Sequence, residues 1–348
     1  MTWMIYGANG FTGRLVADLA VERGERPVVA GRDPGKVAAF AAPRGLESRI
    51  FDLSEPARVA EMLHDVDVVA HCAGPFSATS APMVEACLRS GTHYLDITGE
   101  IDVFESIFAR HQEARDAGVV LLPGSGFDVV PTDCLAALVA AELPGATSLD
   151  LAFQAGGQIS PGTLKSALEG AALGGRARVG GELRTVPLAW RRREVAFPSG
   201  PRQVTSLPWG DVATAYRSTG IGTITTFTRL PLPEVGDGLS KLGQKVLGSA
   251  PVQRAGKAAI GAFVKGPGRA TRQHSWVEVY AEATDDGGRS VSAALIGPDT
   301  YDMTADSVLR AVNALAAETP EPGAHTPSTA FGPDFIRRLH GVKIIEPA

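Results

Sequence analysis

Three glycines at a spacing of three, Gly7, Gly10 and Gly13, follow directly on the first apolar run of the chain, in MTWMIYGANGFTGRLVADLAVERG. Where a strand runs into a helix, such a turn suits a dinucleotide. The first glycine permits the tight turn, the second lets the backbone approach a pyrophosphate, and the third lets helix and strand pack closely. The N–H groups at the start of the helix then face the negative charge. Ala8, Asn9, Phe11 and Thr12 lie between the glycines, so residues 7–13 are read as one cofactor-binding turn. The competing reading, glycines that only turn a corner, does not account for the strand before and the helix after them.

The choice of dinucleotide rests on the end of the second strand, where an NAD site carries Asp or Glu to hold the ribose hydroxyls. Here PVVAGRDPG places Arg32. The neighbouring Asp33 precedes Pro34, the pairing of an N-cap with the first helical position. Arg32 is left to meet a 2′-phosphate, which suits a guanidinium, and the expected cofactor is NADP(H). Asp52, closing SRIFDLS, either accepts from the adenine amino group or caps the next turn. HCAGPF supplies Ala73, Gly74 and Pro75, small residues that let nicotinamide ribose approach. His71 beside them is either an acid or a histidine packed within a strand.

In hydride transfer the cofactor supplies the reactive atom and the protein positions it; most such reactions also need a proton donor. A YxxxK pair is absent, because the residues four beyond Tyr6, Tyr94, Tyr216, Tyr280 and Tyr301 are Gly10, Thr98, Gly220, Thr284 and Ala305. Gly124-Ser125-Gly126 does not make a GxSxG elbow. There is no HExxH, and the seven histidines are scattered, which argues against a metal site. Donor candidates therefore lie in THYLDITGE and GSGFDVVPTD, at strand ends: Tyr94, Asp96, Glu100, Asp128 and Asp133. Each has a duller role open to it, Asp128 and Asp133 as caps of the following helix and Asp96 as a tie between strands. Tyr94, Asp96 and Asp128 are carried forward as the candidate catalytic residues.

The elements that must hold these residues alternate through positions 1–145, six strand-like apolar runs with helical periodicity between them. Helices stop at Gly24, Gly91 and Gly118. That order predicts an α/β fold, an N-terminal Rossmann domain with a doubly wound parallel sheet. Within a second domain placed at 146–348, residues from about 148 to 300 are richer in Gly, Thr, Arg and Pro, with longer strand candidates such as SLDLAFQAGG and HSWVEVYAEA. They predict a second α+β domain with a mainly antiparallel sheet. A late helix at about 304–318 would return to the first domain, and TPEPGAHTPSTAFGPD reads as an extended tail. With 348 residues, two domains are expected. The net charge of −5, from 38 acidic and 33 basic side chains, speaks against a nucleic-acid partner. Three cysteines without a CxxC pair suit a reduced, cytoplasmic setting. The most apolar stretch, CLAALVAAEL, is well short of the ~20 residues that span a bilayer.

Taken together, YGANGFTGRLVA, AGRDPGKV, CAGPF, YLDITGE and GFDVVPTDCLA resemble the saccharopine dehydrogenase-like oxidoreductases, and more closely the branch that includes trans-acting enoyl reductases. GPDTYDMTADSVLRAV and HTPSTAFGPDFIRRLHGV are similar to that branch too. The resemblance implies a Rossmann domain followed by a domain that carries substrate and homodimer contacts. It also implies that Gly126 and Phe127 lie beside the nicotinamide, since Gly126-Phe127-Asp128 matches the family's Gly-Leu/Phe-Asp-Pro-Gly loop. Val129-Val130-Pro131 follows in place of Pro-Gly, a departure that turns the expectation away from saccharopine itself.

The stretch 239–266 carries Lys241, Lys245, Arg254, Lys257 and Lys265 and no acidic residue. It reads either as solvent-facing helices or as a lid or a contact for lipid or an acidic carrier. The leading expectation is an NADPH-dependent reductase of a C=C (enoyl) or C=N bond. Its substrate would be a small-molecule or carrier-bound acyl chain, with nicotinamide at the junction of the domains. A non-catalytic NADP(H) sensor and a lipid-surface scaffold stand as the alternatives.

Overall fold

Short apolar runs that alternate with helices have little choice but to stack as a parallel sheet covered on both faces. In the computed structural model the first such strands are β1 (Trp3–Tyr6), β2 (Val28–Gly31), β3 (Ser48–Ile50), β4 (Val68–His71), β5 (His93–Asp96) and β6 (Val120–Leu122). Between them run α1 (Phe11–Glu22), α2 (Pro34–Ala41), α3 (Pro56–Met62), α4 (Phe76–Ser90), α5 (Ile101–Phe108) and α6 (His111–Asp116). Every residue of β1, β2 and β4 is buried, which is why these strands read as continuous apolar runs without alternation. The structure describes residues 1–229, 249–264, 266–318 and 320–347, without the side chains of 171–173.

The chain forms two compact units, Met1–Val130 with Tyr301–His340, and Pro131–Thr300 with Gly341–Ala348. In the first, the sheet order is β3-β2-β1-β4-β5-β6, all parallel, with Gly323–Ala324 added beside β6 as a seventh strand. The order reverses between β1 and β4, where Tyr6 stands in register with His71, and the carboxyl ends of such a strand pair are where open parallel sheets bind ligands.

The Pro-rich tail, expected to be extended, instead folds into short pieces: that seventh strand, a helix Pro327–Phe331 and a 3-10 turn Pro333–Arg338. Local chemistry explains the difference. Thr326 and Thr329 form a reciprocal capping box, and Pro327 occupies the first helical turn, where a missing N–H costs nothing.

The second unit is built on a nine-stranded sheet in which Ala146–Gly156 lies between Thr223–Thr228, parallel to it, and Trp276–Asp285, antiparallel to it. The remaining pairings are antiparallel. Of the basic stretch 239–266, Lys241, Lys245 and Lys265 lie outside the described residues. Its described part is a helix, Ala250–Phe263, against Pro161–Leu173: Lys257 pairs with Glu169, and the Gln253 amide donates to the Leu168 carbonyl at 3.0 Å. Among the described residues no helix is long and apolar enough to cross a membrane.

Candidate cofactor and catalytic site

The glycine turn is shaped by what it touches. Gly7 has φ +84°, the left-handed region, and a Cβ there would stand 2.8 Å from the Cβ of Ala73. Its N–H donates to Ala30 O at 2.8 Å, while Cys72 N–H donates to Tyr6 O at 2.8 Å, so the ends of β1, β2 and β4 are tied together at this point. Gly13 lies within α1 against the start of the turn, where a Cβ would be 2.9 Å from Ala8 Cα and closer still to Gly7 O. Gly10 begins α1 with no side-chain cap and no acidic residue in the first turn. The starts of α2 and α4, by contrast, are both filled by carboxylates. Asp33 accepts from Lys36 N at 3.0 Å, and Glu100 accepts from Phe76 N at 3.0 Å and Ser77 N at 2.8 Å. Of these three helix starts, only that of α1 is left to an outside anion.

Arg32 is exposed at the end of β2 and makes no hydrogen bond or ion pair among the described residues. Asp33 is engaged by Lys36, whose backbone N–H, first of several causes, holds the carboxyl below its usual range. A cap already bonded to its own helix is a poor partner for ribose hydroxyls. Asp52 is exposed and accepts from the N–H of Ser54 at 2.9 Å and from its hydroxyl, so it caps its own turn. Ala73, Gly74 and Pro75 lead from β4 into α4, with the Gly74–Pro75 peptide cis. The Thr79 hydroxyl donates back to Ala73 O at 2.6 Å.

The three candidate acids fall into two settings. Tyr94 and Asp96 are wholly buried at the end of β5. The Tyr94 hydroxyl donates to Asp96 Oδ2 at 2.6 Å, while Asp96 Oδ1 accepts from Thr98 N at 3.0 Å and Gly124 N at 2.8 Å. Burial outweighs these bonds and pushes the carboxyl up to about 6. This geometry clamps the β5 and β6 loops together. Asp96→Ala strands two backbone donors and a hydroxyl, and is expected to cost about 3 kcal/mol. Thermal unfolding checks it: a loss under about 1 kcal/mol would refute the clamp.

Asp128 is set differently. It follows β6 on a loop whose Phe127 N–H donates to Thr304 Oγ1 at 3.0 Å, and it keeps part of its surface open to solvent. Its carboxyl packs over Gly99, the residue that carries the β5 loop past it, where a Cβ would be 2.9 Å from Oδ2. With protein around the carboxyl itself, burial pushes it up to about 7. A group poised there can hold a proton at neutral pH and give it up.

His71 cannot do the same. It is fully buried, ringed by Tyr6, Phe76 and Tyr94, and burial pushes it down to about 3. The Thr79 hydroxyl is committed to Ala73 O, so the ring N–H at Nε2 donates to Thr79 Oγ1 at 3.0 Å and the imidazole stays neutral. Sequence reasoning passed over Thr79, Thr304 and the capping role of Glu100. Only Glu100 carried a signal, a carboxylate beside candidate sites; Thr304 reaches Phe127 across 177 positions, with no local pattern to mark it.

Residues 3–122 match the family model for the saccharopine dehydrogenase NADP binding domain. Mouse saccharopine dehydrogenase-like oxidoreductase is 35% identical over 150 residues, covering 37% of this chain and 35% of the relative. The trans-acting enoyl reductase of Mycobacterium ulcerans (strain Agy99) is 35% identical over 138 residues, covering 37% and 33%. The chain thus spans about a third of the length of these curated relatives. Saccharopine dehydrogenase (L-Glu forming) from Saccharomyces cerevisiae superposes over 99% of both chains with a TM-score of 0.64 at 13% identity, a shared fold. The β1–β4 reversal, the uncapped helix start and Arg32 therefore all lie in the part of the chain, residues 3–122, that matches the saccharopine dehydrogenase NADP binding domain.

Proposed function

We propose that this protein is an NADPH-dependent reductase of a C=C bond in an enoyl group, or of a C=N bond, on a lipid- or polyketide-like acyl substrate, free or carrier-bound. NADPH supplies the hydride when bound; the chain supplies position and a proton. Gly7 to Gly13 offer the start of α1 to the pyrophosphate, and Arg32 meets the 2′-phosphate. Ala73, Gly74 and Pro75 leave room for the nicotinamide ribose, with Gly126 and Phe127 on the loop after β6, two strands along the same sheet. Asp128 holds the proton that the reduced product takes up. The observation that carries this reading is the Asp128 carboxyl, pushed up to about 7 over Gly99 on a loop braced by Thr304. The trans-acting enoyl reductase among the relatives suggests the enoyl group.

Deuterium from C4-labelled NADPH should appear in the product of an enoyl-thioester or imine panel. No transfer to any member, with the cofactor still bound, would leave a non-catalytic NADP(H) sensor. That second reading is favoured by the complete burial of Tyr94 and Asp96.

Cofactor choice gives a separate test. At 100 times its dissociation constant NADPH should stabilise the fold by ~2.7 kcal/mol. Arg32→Ala should remove most of the resulting midpoint shift and leave any NADH response as it was. Equal responses to NADPH before and after the substitution would assign the 2′-phosphate elsewhere.

A further inference from the structure

A second exposed arginine borders the glycine turn. Arg14 is exposed on the first turn of α1, and its Nε–H donates to Asn9 O at 2.9 Å. That bond folds the side chain back over the glycine turn and fixes the stem of the guanidinium. Two observations set the side of α1 on which it lies. The Arg14 guanidinium carbon is 5.9 Å from the centre of the Phe40 ring, which lies near the C-terminal end of α2 and is covered more closely by Arg44 at 3.9 Å, so Arg14 is on the α2 side of α1. Asn9, the residue that anchors Arg14, packs its Oδ1 against the last residue of β2, 3.3 Å from where a Cβ of Gly31 would stand. Arg14 therefore lies on the side of α1 that neighbours α2 and is anchored on Asn9, which itself packs at the last residue of β2. Its terminal nitrogens make no hydrogen bond or ion pair among the described residues.

Resting on the NADP(H) domain identified above, we infer that Arg14 is a second specificity-determining residue, closing with Arg32 on the 2′-phosphate of the cofactor's adenosine. The two guanidiniums come at the phosphate from different elements, one from the helix that follows the glycine turn and one from the end of the neighbouring strand. A planar fork held at Nε has its outer N–H groups left to point at oxygen, and it gives up little rotamer freedom on binding. The carboxylate that could compete for the phosphate's place, Asp33, is turned away to Lys36 and the start of α2. An adenosine without the 2′-phosphate gains nothing from Arg14, so the residue discriminates between cofactors without strengthening dinucleotide binding in general.

Arg14→Gln isolates this role. The glutamine Nε2 falls at the position of the arginine Nε along the side chain, so the bond to Asn9 O survives while the charged fork is lost. Titration calorimetry on the full chain, with NADPH, NADH and adenosine 2′,5′-bisphosphate as probes, reads the result. Arg14→Gln should weaken NADPH and the bisphosphate by about tenfold to a hundredfold, the worth of a hydrogen bond to a charged group, and leave NADH unchanged. Arg14→Lys should recover part of the loss, and the difference between wild type and Arg14→Gln should shrink as salt is raised. Equal weakening of NADPH and NADH would make Arg14 a prop of the glycine turn and overturn the inference, as would unchanged affinity for all three probes. A wild-type protein that binds none of them would instead refute the cofactor site as a whole.

Discussion

Asp128→Asn should lower the rate of NADPH oxidation on an enoyl substrate by about 10²–10⁴-fold, the contribution of a positioned proton donor, with cofactor affinity unchanged. The same substitution should raise thermal stability at pH 8. The sign follows from linkage. Burial raises this carboxyl from 3.8 to about 7 in the folded state, so between these values the folded protein binds more protons than the unfolded chain. Ionised Asp128 therefore destabilises the fold, in full above about pH 7 and progressively less as pH falls towards 3.8. Asn carries no charge to bury, so its advantage in melting midpoint should be greatest at pH 8 and fade on acidification. In the wild type, kcat should decline above about pH 7 as the donor loses its proton, and Asp128→Asn should flatten that limb. A rate within threefold of wild type, with the limb intact, would move the proton donor to another residue or to water.

The parts of this design that were legible in the sequence are those fixed by local chemistry. The turn 7–13 could be read because its demands are mostly local, the positive φ at Gly7 and the close backbone contacts of Gly10 and Gly13, although the contact of Gly7 with Ala73 is not. Asp33 could be set aside because the following proline marks it as a cap. The seventh strand could not be read: two residues, Gly323 and Ala324, carry no periodicity, and their pairing with β6 spans two hundred positions. Nor could Tyr94 and Asp96 be separated from Asp128, since all three are ionisable groups at strand ends. What the fold adds is their setting: Asp96 accepts from Thr98 and Gly124 and is wholly buried, while Asp128 packs over Gly99 on a loop that keeps part of its surface open. That is decided by loops brought together only in the folded sheet. Arg14 was hidden for the opposite reason: an exposed arginine on a helix is ordinary until Asn9 and Phe40 show which way it faces.

Gly13→Ala should abolish the NADPH-induced midpoint shift while leaving the chain folded. The position is helical, so alanine brings a propensity gain of up to about 1 kcal/mol. Against it stands a methyl group 2.9 Å from Ala8 Cα and closer still to Gly7 O. Both are backbone neighbours that no rotamer change can move. Overpacking of this kind costs about 1–3 kcal/mol, and the strain can be released only by lifting α1 off the end of β1. The first-turn N–H groups that would face the pyrophosphate ride on that helix, so relief of the clash and loss of the anion site are one movement. A binding loss of about a hundredfold corresponds to about 2.7 kcal/mol, within reach of a displacement that breaks two or three charge-assisted hydrogen bonds. Gly35→Ala provides the control. It too lies in a helix, but its Cβ would come no closer than 3.6 Å to Asp33 Oδ1, so it should keep the full NADPH response and melt no lower than wild type. If Gly13→Ala bound NADPH as Gly35→Ala does, close packing of α1 on β1 would not be what builds the site. The uncapped helix start would then have to hold the cofactor through a turn that tolerates a side chain at its tightest point.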